Sequence, residues 1–194
     1  MKHPSVCELF DYWTEQRGRR AMPERADIEP AAIRRALADT FILSFEPAMG
    51  HPFRVAGTRV CALFGRELKG EAFVQLWDLE SRKVLRDMTR VVADEAVATV
   101  AGARARTEQG SQADLELLLL PLYHRGKMHV RLLGLLAPVE TPYWVGAEHV
   151  ATLTLGAMRH LGPAIETIRA PRFATRTATR TVRGGLTLYE GGRD

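Results

Sequence analysis

The chain has 194 residues, 46% hydrophobic and 26% charged, which fits one globular domain with appendages and excludes global disorder or a fibrous repeat. Its net charge of +4 sits in the last 26 residues, where six arginines (Arg169, Arg172, Arg176, Arg180, Arg183, Arg193) face only Glu190 and Asp194. A neutral body with a thinly basic tail gives nucleic acid no clustered basic face, so nucleic-acid binding is not expected.

Cys7 and Cys61 form no CxxC or other ligand spacing, so neither a metal site nor a disulfide framework is expected. The apolar runs at residues 117–123 and 132–139 fall far short of the ~20 residues of a membrane helix. The start, MKHPSVCELFDYW, carries acids in its apolar part and no cleavage motif, so a cytoplasmic protein is expected.

In chain order, Val6, Leu9, Phe10 and Trp13 recur at helical spacing before Gly18, predicting an amphipathic N-terminal helix. Residues 17–30 mix Arg, Pro and acids and read as a loop. A short second helix follows, with Asp27 as a cap, Pro30 in its first turn, Ile33 and Leu37 on its face, and an end near Asp39. From Thr40 the period becomes two. Phe41, Leu43 and Phe45, then Phe53 and Val55, predict two strands joined as a hairpin across Pro47 and Gly50.

Thr58 can cap one or two helical turns carrying Val60, Leu63 and Phe64 to Gly65, and residues 66–77 read as short helical turns. The clearest helix spans residues 80–96, capped by Asp78 or Ser81. Three extended segments follow at about 97–107, 114–123 and 128–137, separated by the turn sequences EQGS and HRGK. Residues 150–161 alternate in a way that suits an added strand or a terminal helix. Beyond residue 170 the Arg-, Thr- and Gly-rich chain reads as disordered.

The segment RVAGTRVCALFGRELKGEAFVQLW, residues 54–77, joins a strand, a glycine, a short helix, a Phe-Gly pair and a Glu-Leu-x-Gly step. With the helix ELFDYWTEQRG and the strand LLLLPL, it resembles a family of small stand-alone bacterial PAS-domain proteins over residues 5–160. The resemblance implies an α+β fold: a five-stranded antiparallel sheet in the order 2-1-5-4-3 with helices on one face, plus the amphipathic N-terminal helix and a C-terminal extension. The division is then 1–39 as helical flank, 40–138 as PAS core, 139–169 as an extension packing on the core, and 170–194 as a basic tail.

The implied function is sensory or regulatory signal transduction through a small ligand or a protein partner, without catalysis. The alternative is a ligand-free dimerisation or adaptor module with a filled core. PAS domains that carry haem place a histidine near the long helix, and SRKVLRDMTRVVADEA has none. Flavin photoreceptors of the class carry a reactive cysteine in an NCRFLQ-like motif, which is missing here. Neither haem nor flavin is therefore expected, and Cys61 reads as a buried inert thiol. A nucleophile elbow, a phosphate loop and a metal-binding His pair are also missing, so no catalytic residues are nominated.

A candidate pocket for an unidentified small ligand gathers Phe53, Val55, Leu63, Phe64 and Trp77 with Leu85, Met88, Leu117 and Leu133. Thr58, Arg59 and Arg66 supply polar contacts or hold an anionic head group. The same apolar residues would equally fill a core. The face of Val6, Leu9, Phe10 and Trp13 packs within the chain or forms a homodimer or signalling-partner interface.

Overall fold

The computed structural model describes residues 1–161 together with 181–183 and 186–188. Its first compact unit, Met1–Pro163, begins with helix α1 (Pro4–Arg17), whose N-terminus is capped by His3 Nδ1 accepting from the Ser5 amide. Strand β1 (Thr40–Ser44), strand β2 (Phe53–Ala56), helix α2 (Thr58–Phe64) and helix α3 (Leu79–Asp94) follow. Then come β3 (Ala98–Thr107), β4 (Gln112–His124), β5 (Lys127–Pro138) and β6 (Val150–Leu161). The second unit, Ala164–Asp194, contains a small antiparallel pair, β7 (Thr181–Arg183) and β8 (Leu186–Leu188). The other residues of the expected disordered tail lie outside the described residues. No helix among the described residues is long and apolar enough to cross a membrane.

The main sheet is antiparallel in the order β2-β1-β5-β4-β3-β6, the expected five-strand order with β6 added at the β3 edge. Residues 150–161, open between strand and helix by sequence, are strand. Three hydrogen bonds tie this strand to the start of α3: the Asp78 amide donates to the Leu153 carbonyl (2.9 Å), the Thr154 hydroxyl to the Asp78 carboxylate (2.6 Å), and the Leu155 amide to Ser81 Oγ (2.8 Å). Asp78 also caps α3, accepting from the Ser81 amide. The Thr154 hydroxyl and Ser81 amide together hold its carboxyl below the usual range.

Both faces of the central strands are buried. On the inner face Phe41, Leu43, Leu115, Leu117, Leu119, Leu132 and Leu136 pack with α2 and α3 residues such as Leu63, Leu85 and Met88. On the outer face Ile42, Leu118, Leu120, Leu133 and Leu135 pack with Val6, Leu9 and Trp13 of α1 and with Ile28 and Ile33. Burial on two faces removes the polar-apolar alternation of a half-exposed strand. That accounts for the nearly unbroken apolar run LELLLLPLY in β4.

Two local expectations are corrected. The second helix does not form. Residues 25–27 and 37–39 are single 3-10 turns joined by irregular turns, and Asp27 closes a capping box with Glu24 instead of starting an α-helix. With Ile28, Ile33 and Ala36 as the buried side chains of residues 25–39 apart from Asp39, the segment has little apolar surface with which to hold several turns. The cap of α2 is Gly57 and not Thr58. A side chain at Gly57 would overlap the Ala38 and Leu37 carbonyls, so backbone approach and not a hydroxyl cap decides this helix start.

Candidate functional site

The twelve candidate pocket residues separate into three groups. Phe53, Leu63, Phe64, Trp77, Leu85, Met88 and Leu117 meet in the inner cluster, each no more than 3% exposed. Val55, Thr58 and Leu133 line a cleft bordered by residues 25–38. Leu133 points to the outer side because its neighbours Leu132 and Gly134 alternate with it along β5. Arg59 enters neither. Its guanidinium grips the buried Asp39 carboxylate through Nε (2.7 Å) and a second nitrogen and also reaches the Arg35 carbonyl. Arg66 is likewise committed, to Glu71. Both arginines, expected to supply polar contacts or hold an anionic head group, are held in internal ion pairs.

The inner cluster is built around four aromatic rings. Phe41 lies edge-on to Phe53 and stacks on Phe73, which meets the Trp77 ring edge-on at 5.7 Å. Trp77 is 1% exposed, yet its indole Nε1–H has no hydrogen-bond partner. A buried donor left unpaired costs roughly 1–3 kcal/mol, so the site has a use for an acceptor.

A second polar group borders the same cluster and was not singled out by sequence. His51 is buried in the β1–β2 connection with φ 58°, a left-handed conformation uncommon outside glycine. Its Nε2 lies 3.0 Å from the Thr89 hydroxyl of α3 and its ring 5.0 Å from that of Phe45. Nδ1 has no partner in hydrogen-bond geometry. Burial pushes the imidazole pKa down, while the nearby Ser44 carbonyl partly opposes that shift. The His51 carbonyl accepts from the Phe73 amide, linking this residue to the aromatic cluster. In sequence a histidine inside a turn reads as solvated, and only the fold buries it.

The four candidate interface residues are largely used inside the chain. Val6, Leu9 and Trp13 are buried, and Phe10 is partly covered. The Trp13 indole donates to the Pro121 carbonyl at 3.0 Å, and the Arg17 guanidinium covers its ring at 5.3 Å. Just before α1, the Glu116 carboxylate on the outer face accepts from the Lys2 and His3 amides. A lone charge within the leucine run of β4 was the available sequence signal for this anchor. Among the described residues, no group of three or more His, Cys, Asp or Glu side chains has a metal-binding arrangement.

A family model described as PAS domain matches residues 1–137. No curated protein matches the chain. Similar solved structures include a light-oxygen-voltage domain studied with a flavin analogue, 18% identical with a TM-score of 0.45, covering 60% of this chain and 87% of that one. Another is the light-state structure of the blue-light photoreceptor Aureochrome1 LOV, 19% identical with a TM-score of 0.43, covering 58% and 89%. A third is the PAS domain of an HTR-like protein from Haloarcula marismortui, 17% identical with a TM-score of 0.39, covering 56% and 90%.

Proposed function

Because the chain belongs to the PAS domain family, we propose that it is a non-catalytic sensory protein whose inner cluster admits a small, mostly apolar ligand bearing one hydrogen-bond acceptor. The unpaired indole N–H of Trp77 carries this reading. In a largely apolar cluster, that donor supplies a placed polar group that fixes a ligand's orientation. The side chains around it are packed together, so entry requires α3 or the residues before it to move. A ligand that favours the opened arrangement shifts the population toward it. His51 sits where such movement is felt, since its ring bonds to Thr89 on α3. The reading places the protein in the cytoplasm as a homodimer that passes this shift to a signalling partner.

The test is native mass spectrometry of the purified chain, followed by denaturing identification of any released compound and its titration against Trp77→Phe. A compound at fixed stoichiometry, bound about tenfold more weakly by the variant, supports the reading. Equal affinity for both chains sinks the assignment to Trp77. Failure to recover or titrate any compound sinks the ligand reading itself.

A further inference from the structure

We propose that the cleft between residues 25–38 and the β2 edge of the sheet is a separate binding site for an amphipathic carboxylate, a long apolar tail with one anionic head. The cleft measures about 490 Å³, inside the range of roughly 300–1,000 Å³ typical of small-molecule sites. Its floor and walls are apolar, with Ile28 and Ile33 on one side and Ile42, Val55 and Leu133 on the other. Two of its lining residues, Leu37 and Val55, are large hydrophobics left 41% and 55% exposed. Exposed apolar side chains that line a concave surface mark a place where an apolar partner gains by burial.

Charge selects the class of partner. Arg25 and Arg34 line the cleft, and no carboxylate does. Arg59 and Arg66 are neutralised by Asp39 and Glu71, whereas among the described residues neither Arg25 nor Arg34 forms an ion pair. Arg25 makes one long bond to the Ile28 carbonyl (3.4 Å). An apolar trough with two uncommitted guanidinium groups matches a fatty-acid-like molecule, whose carboxylate takes the paired donors of an arginine. A basic peptide such as residues 169–194 has the wrong sign for this site, and a neutral lipid would leave the arginines unused. The cleft borders the inner cluster at Phe41 but does not include Trp77, and it stands whether or not a ligand enters there.

The probe is laurate below its micelle concentration, titrated calorimetrically into the full chain, with dodecanol as the neutral comparator. Expected are saturable binding at one equivalent and weaker binding of dodecanol. Affinity should fall about tenfold in Arg34→Glu and in Val55→Glu, both at exposed positions where the fold is checked by circular dichroism. Arg106→Glu, an equal charge change on β3 outside the lining, should leave laurate affinity unchanged. No saturable binding, equal binding of dodecanol, or unchanged affinity in both cleft variants overturns the proposal. A dimer that laurate cannot displace and that Val55→Glu dissociates also overturns it, by assigning the cleft to a second copy.

Discussion

The ring of Phe41 on β1 lies over Gly134, its cross-strand partner on β5, in the space a side chain at Gly134 would occupy. Glycine weakens a strand because it brings no side chain to pack, and here the missing side chain is supplied from the neighbouring strand. The same ring meets Phe53 and Phe73 at centroid distances of 5.4 and 5.6 Å, so displacing it disturbs the whole inner cluster. Gly134→Ala should therefore destabilise the protein by about 1–3 kcal/mol, the usual range for overpacking a core. Urea unfolding should show a lower midpoint with an unchanged slope. An unchanged midpoint would mean that the ring is free to move aside.

Trp13 gives a second prediction. A surface anchor for a partner could be replaced without harm to the fold, but Trp13 is 2% exposed and hydrogen-bonded to Pro121. Trp13→Ala should cost about 3–5 kcal/mol and lower the melting temperature of the whole domain. A native melting temperature combined with a smaller oligomer would instead return Trp13 to the interface role.

His51 sets a pH dependence whose sign follows from its burial. The folded protein holds the imidazole below its ordinary pKa of 6.5, while the unfolded chain leaves it there. As pH falls below 6.5 the unfolded state takes up the proton first, so stability is full above that value and is lost as pH drops through the lower folded pKa. The Glu46 carboxylate favours protonation and the Arg86 guanidinium opposes it, and Thr89 faces the ring from α3. His51→Asn, which tolerates the left-handed backbone, should flatten stability between pH 6.5 and the folded pKa. Chemical denaturation across that interval would show it, and parallel curves for the two proteins would assign the dependence elsewhere.

Local signals in the sequence were sufficient for most of the fold. The spacing of Leu85, Met88 and Val92 and the capping Asp78 marked α3, and the turn sequences that hold Gly110 and Gly126 marked β3 to β5. The family resemblance supplied the strand order. The segment at 27–39 went wrong because its apolar residues, although helically spaced, are used singly against the outer face. The candidate pocket residues separate for a related reason. Phe53 and Leu117 face inward, while Val55 is 55% exposed at the β2 edge and Leu133 is turned outward by the pleat of β5.

By itself the sequence determined most of the helices and strands, the segment at 27–39 and residues 150–161 excepted, because hydrophobic period, capping residues and turn residues act within a few residues of one another. The tertiary structure alone decided the partners over long separations. It paired Arg59 with Asp39, placed Thr154 on Asp78, buried His51 beneath α3 and left Trp77 without an acceptor. It also left Arg25 and Arg34 uncommitted beside an apolar cleft. Whether a charge is neutralised or a donor satisfied depends on which distant atoms the fold brings within about 3 Å, and residue type and spacing do not encode that distance.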